Sequence, residues 1–244
     1  MKKMITLKEH ITNYAKNNCY FHINDLRKYF TDRRIDYKND TLKKYLYLLK
    51  KEDIIYGAGR GWYSSIKEVF VLDTKPVEKI ITLIKKEFPL LDFSCWSTEQ
   101  TKGFFHHLPS QFVTFVYADK DFLQALKDFL ADNGYDVYLN PRKSEAEKYV
   151  KLKNQTVILR PFISSREPKN QCFAKIEKIL VDLLMETKRV NLIDREEFQK
   201  IISNIIFNYR INMAEMFDYA ERRKIKEKMR AMCTNTKSTY VTFL

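Results

Sequence analysis

Glycine and proline are scarce in this sequence: five and six residues in a chain of 244. That excludes a collagen-like repeat or a Pro/Gly-rich linker and leaves little chain for disordered connections. Cysteine is also scarce, and Cys19, Cys95, Cys172 and Cys233 lie far apart. They form no CxxC motif and no Cys/His pair at ligand spacing, so the expectation is free, buried thiols in a reducing compartment and no metal site. No apolar run approaches the roughly 18 residues of a membrane span, and Met1–His10 lacks the apolar core of a signal peptide. A soluble, cytoplasmic protein with no membrane partner is expected. Catalytic signatures are missing as well: there is no P-loop, GxGxxG, kinase signature, nucleotidyltransferase GS…DxD or PD…(D/E)xK pattern. The reading is therefore of a non-enzyme, with no catalytic residue and no cofactor.

What is abundant is positive charge. Lys and Arg number 44 against 31 Asp and Glu, a net +13, which predicts attraction to a polyanion. Residues 1–72 hold 15 of the basic and 8 of the acidic residues, a net +7 in under a third of the chain. With 45% hydrophobic and 14% aromatic residues there is ample material for a core, and the length suggests two domains.

The first segment reads helix, helix, helix, hairpin. Leu7, Ile11, Tyr14 and Ala15 recur at helical spacing from about Thr6 to Lys16, and Phe21, Ile23, Leu26 and Phe30 mark a second helix. A third is expected from Asp40 to Lys51, with Leu42, Tyr45, Leu46 and Leu49 inward and Asn39 or Asp40 as its cap. Ile54–Tyr56 and Trp62-Tyr63 then flank Gly57-Ala58-Gly59-Arg60-Gly61, where three of the five glycines are spent, a hairpin signal. The pattern predicts a winged helix-turn-helix over residues 1–70. A mixed α/β domain over 76–244, helical toward its C-terminus, completes an α+β or α/β fold.

If the third helix turns its leucines inward, Thr41, Lys43, Lys44, Tyr47, Lys50 and Lys51 point outward. With Asn39, they form a surface suited to the major groove of double-stranded DNA, and Arg60 at the tip of the wing is placed for a phosphate or the minor groove. A KK pair taken alone more often solvates a surface helix; helix order, wing glycines and charge enrichment together favour DNA.

Other candidates are weaker. His106-His107, with Glu99 and Asp92 upstream, would diverge on a helix and chelate one metal poorly. Ser97 or Thr98 reads as a helix cap rather than a nucleophile. Glu177 and Asp182, five apart on one helix, point to different sides. Arg222, Arg223 and Lys224, followed by Lys226, Lys228 and Arg230, form a second basic candidate surface for nucleic acid or an acidic partner.

Cys95-Trp96-Ser97-Thr98, His106-His107, FVTFVYADKD, Asn140-Pro141, Tyr149, Ile176–Leu184, Tyr209–Asn212 and Tyr219-Ala220-Glu221-Arg222-Arg223 together resemble a family of bacterial proteins related to AbiEi-type antitoxins of type IV toxin–antitoxin, abortive-infection systems. The resemblance implies a winged helix that binds the promoter of its own operon, placing Lys43, Lys44 and Arg60 on that module. It also implies a C-terminal antitoxin domain holding Glu177, Asp182, Arg222 and Arg223, and a nucleotidyltransferase-like toxin as a cognate partner. A homodimer fits the symmetric operators of such regulators. Two rival readings stand beside it. One is a nucleic-acid-processing enzyme using Glu177, Asp182 and His106; the other is an antitoxin acting by protein contacts alone.

Overall fold

The computed structural model describes residues 6–107, 109, 111–164, 166–190 and 192–240. Two units are distinguished by their internal contacts: Met1–Phe70 with Ile205–Glu215, and Val71–Asn204 with Met216–Leu244.

The first unit opens with α1 (Leu7–Lys16), whose start is fixed by a reciprocal cap. Thr6 Oγ1 accepts the Glu9 amide at 3.2 Å, and the Glu9 carboxylate accepts the Thr6 amide at 2.7 Å. Tyr20–His22, expected to lead into a helix, instead forms a short strand, β1, directly before α2 (Ile23–Asp32). After α3 (Asn39–Lys51), the strands β2 (Tyr56–Gly57) and β3 (Trp62–Ser64) form the expected hairpin. The sheet order is β1-β3-β2, all antiparallel, with Phe21 opposite Tyr63 and Gly57 opposite Tyr63 on the other side. One core holds the unit together: Ile11, Ala15, Phe21, Leu26, Phe30, Leu42, Leu46, Leu49 and Ile55. The helix period or strand alternation turns all of these inward except Ile55, which lies in the bend just before β2.

Ile205–Glu215 completes this unit although it lies far away in sequence. The Tyr20 hydroxyl donates to the Tyr209 carbonyl at 2.6 Å and accepts the Ile211 amide at 2.8 Å. Val69 and Arg210 pair as a parallel bridge, and the Arg210 guanidinium lies 4.6 Å over the Tyr56 ring. The hairpin turn is closed by the same segment. Gly59 has φ +102°, and a Cβ there would come 2.2 Å from Asn212 Oδ1 and 2.6 Å from Ala214 Cβ. Gly59→Ala therefore combines a left-handed backbone with a steric clash. It should cost about 1–3 kcal/mol for the backbone alone, read as a lowered thermal midpoint; an unchanged midpoint would mean that the turn relaxes freely.

The second unit is built on a mixed six-stranded sheet of order β6-β7-β5-β4-β9-β8. Its strands are β4 (Phe93–Ser97), β5 (Thr114–Ala118), β6 (Asp136–Leu139), β7 (Thr156–Pro161), β8 (Lys169–Asn170) and β9 (Phe173–Ala174). β4 runs antiparallel to β5, while β5, β7 and β6 are mutually parallel. β4, β5 and β7 are buried along almost their whole length, as strands covered on both faces must be. One face, with Phe93, Cys95, Val116, Ala118, Val157 and Leu159, carries α4 (Lys75–Glu87) and α5 (Leu123–Asp132).

The remaining helices are α6 (Lys143–Tyr149), α7 (Ile176–Arg189), α8 (Arg195–Asn208), α9 (Met213–Arg222) and α10 (Lys226–Tyr240). The chain breaks between α9 and α10, with Lys224 at φ 58° between the two helices. Among the described residues, no helix is long and apolar enough to cross a membrane.

Candidate nucleic-acid interface

The division of α3 into two faces follows from its period. Leu42, Leu46 and Leu49 are buried, and Tyr45 packs against the same core. Asn39, Lys43, Lys44, Tyr47, Lys50 and Lys51 are exposed and Thr41 is half-buried, so one helix presents the whole expected surface. Lys51 lies 4.9 Å over the Tyr47 ring. Lys43 has only Asp40 nearby, at 4.0 Å and well exposed, a pairing that contributes little. Lys50 Nζ comes 3.8 Å from the position a Cβ would take on Gly57, so the cations of α3 continue onto the hairpin. Arg60 is exposed between Gly59 and Gly61.

One detail of α3 corrects the sequence reading. Its N-cap is Lys38, and no side chain caps it; Asn39 and Asp40 lie inside the first turn. α1 and α2 both begin with capping boxes, whereas the first amides of α3 are left without a side-chain acceptor.

The second unit buries a polar row whose members come from elements far apart in sequence. Ser94, Tyr117 and Arg160 lie side by side on β4, β5 and β7. Above them, Lys178, Asp182 and Glu186 follow at intervals of four on one face of α7, all fully buried. Lys178 Nζ sits 2.7 Å from Asp182 Oδ2, 2.8 Å from Glu167 Oε2 and 3.0 Å from the Tyr219 hydroxyl, and lies 3.6 Å over the Tyr117 ring. The Tyr219 hydroxyl donates to Asp182 Oδ1 at 2.9 Å, and Arg223 Nη2 is 3.3 Å from the same oxygen. Ser94 Oγ donates to Glu167 Oε2, and Arg160 pairs with Glu186 at 2.5 Å. Burial, and then the charge of Asp182, push both the Tyr117 and Tyr219 hydroxyls above the ordinary tyrosine range, so both stay protonated. This arrangement alternates charge sign along its length and ties α7 and α9 to the sheet.

The remaining candidates fall elsewhere. Glu177, the residue before Lys178, is buried at 6% exposure. His106 and His107 follow a 3-10 helix (Thr98–Phe104) rather than lying on one, and their rings meet edge to face with nitrogens 2.9 Å apart. Both of their amides donate to Glu197 Oε1. Asp182 contacts Lys178, Tyr219 and Arg223, whereas His106 meets His107 and Glu197, so Asp182 and His106 share no partner among these. Ser97 is the N-cap of the 3-10 helix, accepting the Glu99 amide.

The expected basic surface at Arg222, Arg223 and Lys224 also needs correction. Arg223 is buried, with Nη2 3.3 Å from Asp182, and Arg222 donates to the Arg166 carbonyl at 2.7 Å. Lys224 alone of the three is exposed. Cys95 and Cys172 are buried thiols, and burial raises both above the usual thiol range.

No curated protein matches the chain. A family model described as a family of unknown function, DUF6577, matches residues 41–239, from the first turn of α3 to α10. The chain belongs to the DUF6577 family.

Proposed function

We propose that the first unit is a winged helix-turn-helix that binds duplex DNA, with α3 in the major groove and the β2–β3 hairpin as the wing. The observation that carries this reading is the division of α3. Its apolar positions are spent on the core, and four lysines and Tyr47 are left exposed along the opposite side. The order helix, strand, helix, helix, hairpin supports it, as does a sheet in which β1 pairs with the second hairpin strand. Lysines held without strong partners neutralise phosphates and release counterions, while Asn39 and Thr41 at the start of the helix lie where base edges are read. Arg60 supplies a cation at the wing.

The resemblance to AbiEi-type antitoxins extends the proposal. The DNA is then the promoter of the protein's own operon, bound as a dimer in the cytoplasm, and a toxin is the partner of the second unit. The test is a titration of the full chain with duplex DNA from that upstream region. Affinity should fall roughly 100-fold between about 50 and 200 mM salt. A salt-independent affinity, or none, would contradict the proposal.

A further inference from the structure

We propose that the second unit binds a small organic cation, an amine on an apolar or aromatic body, in the cleft beyond the carboxyl ends of β5 and β7. The site shares no residue with the α3 surface, and its test involves no DNA.

The sheet register builds the cleft. Phe93, Ala118 and Pro161 stand side by side on β4, β5 and β7, and the Phe162 amide donates to the Ala118 carbonyl at 2.8 Å. The residues just beyond that row, Asp92, Asp119 and Phe162, therefore meet at the same end of the strands. β5 leads through α5 to β6, toward one end of the sheet order, whereas β7 leads to β8 at the other end. Neighbouring parallel strands whose chains leave in opposite directions open a crevice at their carboxyl ends, and there open α/β sheets take ligands. Here the crevice has a volume of about 660 Å³, the size of a small-molecule site.

Its walls are apolar: Phe88, Leu90, Leu91, Phe122, Phe162 and Ile163. Leu90 is 98% exposed, Phe122 48% and Ile163 44%, so three large apolar side chains meet water at one spot, and an apolar body would cover them.

The polar groups set the charge of the ligand. Glu87, Asp92 and Asp119 line the cleft and no Lys, Arg or His does, in a chain of net charge +13. Asp92 is paired with Lys169, whose ammonium also lies 4.8 Å over the Phe162 ring. An ammonium held between a carboxylate and a phenyl ring is the binding mode inferred for the ligand. Glu87 and Asp119 have no Lys or Arg within ion-pair distance among the described residues. Glu87 ends α4, where the helix dipole favours a cation over a carboxylate. Asp119 Oδ1 accepts the Asp121 amide at 3.0 Å, a cap that leaves its charge uncompensated. The Ser164 hydroxyl, also in the lining, is buried and has no hydrogen-bond partner among the described residues. Leaving a buried hydroxyl unbonded is costly, and an ammonium donor supplies the missing bond. Phosphate and carboxylate ligands are repelled by the same acids.

The test measures binding of tryptamine, tryptophol and indole-3-propionate to the full chain. These probes share an indole and carry an ammonium, a hydroxyl and a carboxylate. A chain of net charge +13 attracts the carboxylate elsewhere, so a preference for the amine reports on this cleft. Tryptamine should bind roughly tenfold more tightly than tryptophol, and indole-3-propionate most weakly. Glu87→Gln/Asp119→Asn, at two exposed positions, should erase that preference while tryptophol binds as before. In Ile163→Lys the chain supplies its own cation, and tryptamine should lose roughly tenfold with both carboxylates intact. Equal affinity for the three probes, tighter binding of the carboxylate, or no binding of any of them would overturn the proposal. So would an unchanged preference for the amine in either variant; if the double variant melts lower than the parent, Ile163→Lys alone decides.

Discussion

Replacing Lys178 with Met should destabilise the protein by about 3–5 kcal/mol, the range for removing one partner of a buried ion pair. Lys178 is fully buried and is the cation shared by Asp182 and Glu167, both within 2.8 Å. Methionine approximates its volume, so packing is nearly preserved while two carboxylates lose the charge between them. Arg223, at 3.3 Å from Asp182, compensates one of them in part, while Glu167 keeps the Ser94 hydroxyl as a donor. For a chain of this length the loss corresponds to a fall in thermal midpoint of about 10 °C. A fall equivalent to under about 1 kcal/mol would mean that water reaches the row and screens it.

The same network predicts non-additivity. Asp182→Leu alone takes the carboxylate from Arg223 and leaves Lys178 with Glu167 only, whereas the double variant Lys178→Met/Asp182→Leu removes the pair together. The double variant should be more stable than the sum of the two losses implies, by roughly 1–3 kcal/mol. Equal and additive losses would show that the two groups do not interact across their 2.7 Å contact.

These contacts also mark where sequence reasoning reaches its limit. α3 was legible because Leu42, Leu46 and Leu49 repeat at the helical period, and the hairpin because glycine was spent there and almost nowhere else. β1 was not: Phe21 is one apolar residue just ahead of the i, i+3, i+7 set Ile23, Leu26 and Phe30, and what makes it a strand is pairing with Tyr63, far away in sequence. The polar row leaves only a faint signal in the sequence. Lys178, Asp182 and Glu186 stand four apart on one face of α7, and Arg160 interrupts the apolar strand Thr156–Pro161. Paired singly, as Glu177 with Asp182, they look scattered; in register with Ser94 and Tyr117 they form a line. The docking of Ile205–Glu215 had no local signal, because it depends on a tyrosine hydroxyl nearly 190 positions away. Nor does any glycine or proline announce the break at Lys224, which falls on a single left-handed residue.

The exposed half of α3 yields the second large effect. Lys43 and Lys44 are adjacent, exposed and at most weakly paired, so each is free to neutralise one phosphate. Each such contact releases about 0.9 counterion from B-DNA. Lys43→Ala/Lys44→Ala should therefore reduce the salt slope by about two and weaken binding roughly 10- to 50-fold at about 0.1 M salt. Stability should change little, since surface substitutions away from caps and cores stay within about 0.5 kcal/mol. Arg60→Ala should act in the same direction but less, having one phosphate or groove contact to lose. By contrast, Tyr47→Ala should alter preference among duplexes more than the slope, because it removes a contact without removing a charge.

The measurement closest to the central claim is the affinity of the full chain and of Lys43→Ala/Lys44→Ala for one duplex from its own upstream region, across a salt series. A steep slope for the parent, reduced by about two in the variant at unchanged thermal midpoint, is the predicted result. Identical slopes and affinities for the two proteins would contradict a DNA interface on α3.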